Sequence, residues 1–352
     1  MTAGPIRLAA LGCGRVFERF HLPALRRSPA WVLAAAVDPS SERLRWMSGA
    51  APGIALAASL AELDRRAEFD AVLVSAPPDA HCALASEALR RGVHVLIEKP
   101  MVLRASEAAS LLELARTVGR QVWVGFNRRF RPAYLALRER LRLTPAERVR
   151  GIEFEMRGSA RAWGAVTGYL GRGRGGDLLD DLGSHQLDLV PWIVGHRVEE
   201  LRARLERVQP DAAEVAIDLR FDGGLEGRCR AAHAAPPVER LEVRLADRTL
   251  VASQGGLAGA SWLPPSTARR YLSGRTALGS LARRLRGAPG HTVETFEAQL
   301  GAWAGALRGG SAGAAADGEA GARCVELVEA CRQSLAVGGG WVAVRPAAAA
   351  PR

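Results

Sequence analysis

The feature that most constrains this chain is a rhythm in its first 126 residues. Short, mainly apolar runs at 6–11, 31–37, 71–75, 93–97 and 122–126 alternate with helix-like stretches at 23–27, 40–47, 60–66, 80–91 and 106–118. Runs of that length without polar alternation are expected of strands buried on both faces. Strands that alternate with helices form βαβ units, because parallel neighbours need a crossover between them. Gly92 and Gly119 stand just past two of the helices, where a C-terminal cap belongs. The fold class is therefore α/β, opening with a parallel sheet.

After residue 126 the rhythm changes. Residues 150–157 alternate and read as a strand, 158–176 are rich in Gly and Arg and read as a loop, and 181–194 read as a helix that Pro191 bends. Further strands are expected at 201–208, 214–221, 225–232 and 239–246, with Asp222-Gly223-Gly224 as a hairpin turn. Two long amphipathic helices follow at 292–308 and 319–335. This predicts a second, α+β domain over 127–346, with a large, open, mostly antiparallel sheet, and a disordered tail at 347–352. An exposed sheet face often pairs with another copy of the chain, so a homodimer or homotetramer is expected.

Composition narrows the function classes. The 352 residues suit two domains. No apolar run approaches the ~18 residues of a membrane span, and the N-terminus lacks the segments of a signal peptide. Cys13, Cys82, Cys229, Cys324 and Cys331 are dispersed, with no zinc or redox spacing. These points together predict a cytoplasmic protein with no metal site. The formal charge of +11 raises the question of a nucleic-acid partner. Most arginines, however, stand beside acids on helical stretches (Arg65, Arg66 and Glu68; Arg138, Glu139 and Arg140), the pattern of a solvated surface. One stretch differs: Arg269, Arg270, Arg275, Arg283, Arg284 and Arg286 fall in a segment without acids. It either binds an anionic group, such as a sugar-nucleotide diphosphate, or is a solvated basic loop. Tyr271 is its only aromatic, too few for a base-stacking platform, so no nucleic acid is expected.

Gly12-Cys13-Gly14 follows the first run directly, and Asp38 ends the second. In a Rossmann turn the first glycine permits the tight bend and the second lets backbone approach a pyrophosphate. The helix opening at Arg15 and Val16 then aims its N-terminus at the phosphates. Asp38 can accept hydrogen bonds from both adenosine ribose hydroxyls and would repel a 2′-phosphate, which favours NAD over NADP. Phe17 stands at the third glycine position. Its ring is expected either to push the helix off the strand or to turn outward. Cys13, inside the turn, reads as packing.

Four more segments complete the pattern: Ser75-Ala76-Pro77-Pro78-Asp79-Ala80-His81, Glu98-Lys99-Pro100, Gly125-Phe126-Asn127-Arg128-Arg129-Phe130, and Asp181-Leu182-Gly183-Ser184-His185-Gln186-Leu187-Asp188. Together they resemble the glucose–fructose oxidoreductase / inositol dehydrogenase (Gfo/Idh/MocA) family over nearly the whole chain. The resemblance implies a Rossmann domain, an open-faced α/β substrate domain, NAD(P), and sugar or cyclitol substrates. It implies Lys99, Asp181 and His185 as catalytic residues. It also implies that Pro77, Pro78 and His81 line the cofactor, with Glu98 beside Lys99, and that Asn127 and Arg128 end a strand near the nicotinamide.

The residues support that chemistry independently. Oxidising a secondary alcohol needs a hydride acceptor and a group that takes the hydroxyl proton. Asp181 and His185 are four apart, so one helix face can present both. Histidine carries a proton reversibly, and Asp181 orients either the substrate or the imidazole. Lys99 is the only lysine among 48 Lys and Arg residues. A site that needed any cation could take arginine, whereas one that needs a compact ammonium could not. Asp188 falls on roughly the face of Asp181. Asp180 reads as a helix-start charge, or as the functional acid if the register shifts by one. Trp163 and Tyr169 either stack on a sugar ring or pack their loop. The expected activity is hydride transfer at a hydroxyl or keto carbon of a sugar, cyclitol or sugar nucleotide. The alternatives are a glycoside hydrolase or lyase with transient redox and no net NAD consumption, and a non-catalytic NAD sensor.

Overall fold

A computed structural model describes residues 4–63, 68–158, 178–209, 212–233, 237–253, 256–260 and 292–344. Trp163, Tyr169, the arginine-rich segment 269–286, Arg65, Arg66 and the tail lie outside the described residues. The chain forms two compact units: Met1–Phe130 with His291–Val325 and Ala349–Arg352, and Arg131–Gly290 with Glu326–Ala348.

The first unit holds a seven-stranded sheet. Its strands are β1 (Ile6–Leu11), β2 (Trp31–Val37), β3 (Ala55–Ala57), β4 (Ala71–Val74), β5 (His94–Ile97), β6 (Val122–Val124) and, from far along the chain, β14 (Ala316–Asp317). The order is β14-β6-β5-β4-β1-β2-β3. All neighbours pair in parallel except β14, which runs antiparallel to β6. The crossovers carry helices α1 (Leu22–Arg27), α2 (Ser41–Ala50), α3 (Pro78–Arg90) and α4 (Ala105–Thr117). This is the Rossmann sheet that the rhythm predicts.

Two local expectations differ. Of the helix expected at 60–66, the described part, 60–63, is turn and bend rather than helix. Glu62 accepts from the backbone of Ala58 and Ser59 accepts from the backbone of Glu62, both at 3.3 Å, bonds that hold this turn together. Phe17 neither turns outward nor faces the solvent. Its ring is fully buried in the core with Leu8, Ala10, Trp31 and Met47. Ala10 of β1 and Ala36 of β2, both small, share this core with the ring. The chain enters α1 through a wider π-helical turn, Phe17–His21, with both end residues buried. Helix α7 (Thr292–Leu307) completes this core with Phe296, Leu300 and Trp303, and Trp31 donates to the Leu300 carbonyl at 3.0 Å.

The second unit holds an eight-stranded sheet of β7 (Val149–Gly158), β8 (Val198–Gln209), β9 (Ala212–Phe221), β10 (Glu226–His233), β11 (Val238–Leu245), β12 (Thr249–Ser253), β13 (Gly256–Ala260) and β15 (Val342–Ala343). The order is β13-β12-β11-β7-β10-β9-β8-β15. Only β7 and β10 pair in parallel. Asp222–Gly224 turns β9 into β10, with Gly223 at φ 76°. Along β7, Ile152, Phe154 and Met156 face inward and Glu153, Glu155 and Arg157 face outward. Helices α5 (Pro132–Arg142) and α6 (Ser184–Val194) belong to this unit, and α8 (Gly318–Ala336) ends in it. Gln186 of α6 donates to the carbonyls of Phe154 at 2.8 Å and Arg230 at 3.0 Å, tying the helix to the sheet. Among the described residues, no helix is long and apolar enough to cross a membrane.

Candidate active site

The glycine turn is built for close backbone approach. Gly12 has φ +92°, and a Cβ there would lie 2.5 Å from the Ala76 backbone nitrogen. Only glycine fits, both by torsion and by space. The hydroxyl of Ser75 donates to the Gly12 carbonyl at 2.6 Å and closes the turn against the end of β4. Gly14 is different, because nothing lies within 4 Å of where its Cβ would be. Its backbone faces open space at the start of the helical turn, where Arg15 is exposed and Val16 half-buried. Those are the requirements of a pyrophosphate cradle.

Asp38 follows β2 directly and is buried. One carboxylate oxygen accepts the Cys13 N–H at 2.8 Å and the other the Ser40 N–H at 2.9 Å. These bonds lock the carboxylate while each oxygen keeps a further lone pair for a ribose hydroxyl. Sequence reasoning missed Arg43. Its Nε donates to the Cys13 carbonyl at 2.7 Å, and its guanidinium pairs with Glu18 at 3.0 Å and lies 4.4 Å above the Trp46 ring. No spacing rule points to it. The Cys13 thiol is pushed up to about 12, by burial first and by the Asp38 charge second, with Arg43 opposing. It is inert packing at neutral pH.

Lys99 stands at the C-terminal end of β5, the edge where open parallel sheets bind ligands. It is half-buried, and its peptide bond to Pro100 is cis. Pro77 is exposed on the β4–α3 connection, and Pro78 is buried at the start of α3. His81 is buried behind this wall, with Nδ1 2.9 Å from the Pro100 carbonyl and Nε2 2.9 Å from the Ala76 carbonyl. It therefore shapes the two loops through their backbones. Burial pushes its pKa down, with both carbonyls opposing. Asn127 is buried and donates to Thr295 at 3.2 Å, and Arg128 follows it, half-buried.

Glu98 is buried just before Lys99. One oxygen accepts the Lys99 N–H at 3.1 Å, and the other lies 2.6 Å from Nε2 of His21, a residue that spacing arguments passed over. Its signal was present: Phe17, Phe20, His21, Ala24 and Leu25 form one i, i+3, i+4, i+7, i+8 stripe, and a histidine on an apolar stripe asks for a partner.

In the second unit, a π-helical turn at Leu179–Gly183 leads into α6. It separates the two neighbouring acids. Asp180 is buried and ion-paired with Arg332. Asp181 is partly exposed, with His233 of β10 3.7 Å from its carboxylate. His185 is buried one turn on, and Asp188 is buried beyond it. His233 is the second histidine that sequence reasoning missed.

A parallel sheet with a dinucleotide turn after β1 and an acid after β2 defines a nucleotide-binding oxidoreductase fold. Residues 6–126 match the family described as an oxidoreductase family with an NAD-binding Rossmann fold, and residues 134–251 match the GFO/IDH/MocA C-terminal domain. The chain belongs to the Gfo/Idh/MocA family of NAD-dependent oxidoreductases. It is 31% identical over 344 residues to a dTDP-3,4-didehydro-2,6-dideoxy-alpha-D-glucose 3-reductase of Streptomyces violaceoruber, covering 95% of this chain and 96% of that one. It is 30% identical over 229 residues to an inositol 2-dehydrogenase of Leifsonia xyli, covering 62% of this chain and 65% of that one. In structure it resembles the WlbA dehydrogenase of Bordetella pertussis, solved with NADH and UDP-GlcNAcA (TM-score 0.81, 19% identity, 98% of this chain and 99% of that one).

Proposed function

We propose that this enzyme moves hydride between a nicotinamide and a hydroxyl or keto carbon of a sugar, with a sugar nucleotide as the first class to test. The observation that carries the reading is Lys99, the chain's only lysine, at the ligand-binding edge of a sheet whose glycine turn fits a dinucleotide. The full-length match to a reductase named for a dTDP-sugar favours a sugar nucleotide over a free cyclitol. The residues present fit NAD: Gly12 and Gly14 give the phosphates bare backbone, and Asp38 offers its carboxylate to the ribose. When bound, the nicotinamide supplies the hydride acceptor or donor. Lys99 stabilises negative charge on the substrate oxygen, His185 carries the hydroxyl proton, and Asp181 orients the reacting group.

Two measurements test this. Net NADH formation or consumption is expected across a panel of sugar nucleotides, sugars and cyclitols. Glycoside cleavage without net NADH change would overturn the reading in favour of transient redox. Lys99→Met is expected to lower kcat by roughly 10²–10³-fold while NADH binding and the thermal midpoint hold. Intact turnover in that variant sinks the role of Lys99.

A further inference from the structure

His21 and Glu98 form a buried polar couple in an apolar setting. The His21 side chain is fully buried and that of Glu98 is 11% exposed. Phe296 of α7 lies edge-on to the imidazole at 4.6 Å, and Phe20 stacks on Phe296 at 5.3 Å. Burying two such groups costs stability that an apolar pair of similar shape would not. Packing alone does not explain them.

Their geometry points at Lys99. A carboxylate only accepts, so the His21 proton sits on Nε2 and is donated to Glu98. Among the described residues Nδ1 has no hydrogen-bond partner, as suits a bare acceptor nitrogen. The second Glu98 oxygen takes the Lys99 N–H. One carboxylate thus joins the imidazole to the backbone of Lys99, using a different oxygen for each. The site makes room for it: a Cβ at Gly125 would come within 2.9 Å of Glu98 Oε1. The π-helical turn Phe17–His21 is what delivers the ring, and such turns cluster at functional sites.

We propose that His21 is a positioning residue: through Glu98 it fixes the backbone of Lys99 and hence the place of the lysine ammonium. This rests on the oxidoreductase reading for what Lys99 does, but not for how it is held. The chain's single lysine gives a direct readout, because reductive methylation with a 13C label marks Lys99 and otherwise only the chain's N-terminal amine. The test compares wild type, His21→Leu, which removes the donor, and His21→Gln, whose amide can replace the Nε2–H.

The labelled Lys99 resonance is expected to move or broaden in His21→Leu and to return to the wild-type position in His21→Gln, with melting midpoints of the two variants alike. On the unlabelled enzymes kcat is expected to fall roughly 10–100-fold in His21→Leu, with KM and NADH affinity within about threefold, and to recover in His21→Gln. A Lys99 resonance unmoved in His21→Leu, or moved equally in both variants, overturns the proposal. So does a loss of kcat that simply follows a loss of folded protein. A wild-type enzyme that turns over no substrate, yet shows the expected resonance pattern, sinks the oxidoreductase reading and leaves this one standing.

Discussion

In the first sheet, β4 runs Ala71-Val72-Leu73-Val74 with every side chain buried, whereas in the second, β10 turns Gly227, Cys229 and Ala231 inward and Arg228 outward. The outward face of the second sheet is held by charge. Asp218 of β9 takes Arg202 at 2.9 Å, Arg204 at 2.8 Å and Arg228 at 2.6 Å. Among the described residues the first sheet shows no such face and depends on how closely backbone meets backbone, as at Gly12 and Ala76. The difference teaches where each unit is vulnerable: one to a methyl group, the other to protons and salt.

The largest effect expected is at Gly12. Gly12→Ala combines a strained torsion with a clash against the Ala76 backbone and should cost roughly 3 kcal/mol or more, read as a lowered denaturation midpoint. A neutral outcome would break the comparison. Asp218→Asn should cost about 1–2 kcal/mol, partly screened by salt. Burial raises the Asp218 pKa, but hydrogen bonds and charge from Arg228 and Arg202 outweigh it and hold the group below its ordinary 3.8. Its contribution is therefore present above that value and lost as pH falls through the lower, folded one. The gap between variant and wild type should close in that acid range, and a gap that persists there counts against the ion pairs.

Smaller effects sharpen the contrast within the glycine turn itself. Gly14→Ala meets open space, so stability should change by less than ~0.5 kcal/mol while NADH affinity falls, because the added methyl stands where phosphate should approach. Equal stability losses at Gly12 and Gly14 would erase the distinction. Least of all should happen at Cys13: a thiol reagent at pH 8 should leave it unlabelled in the native protein and label it after unfolding. With its pKa raised from 9.0 to about 12, its contribution to stability is lost only as pH climbs through that window.

The first sheet was the more legible because continuous apolar runs report burial on both faces without help from distant residues. Its short edge strand β3 escaped, since three residues of Ala-Leu-Ala carry no periodicity. In the second unit, β7 to β11 announced themselves by alternation. Strands β12 and β13 did not, because they open the segment whose composition drew attention to charge instead. At the site, Gly12, Asp38 and Lys99 were legible as residue types with a chemical purpose. Arg43 and His233 were not, and for His21 only the apolar stripe was, because each has its partner between 30 and 77 residues away, at Cys13, Asp181 and Glu98. For Phe17 the outward alternative fails for a related reason: Ala10 and Ala36, which share its core, lie on two other stretches of chain.

Helix α7 carries a consequence for how the protein is made. Phe296, Leu300 and Trp303 belong to the core of the first unit, yet they leave the ribosome long after β6. At ~5–20 residues per second, the intervening stretch takes roughly ten to thirty seconds to synthesise. Throughout that delay the nascent Rossmann half has a gap where α7 should lie, and the apolar surface around Trp31 stays open. Chaperones that bind exposed hydrophobic patches therefore have a defined interval in which to act, and it ends when residue 303 emerges.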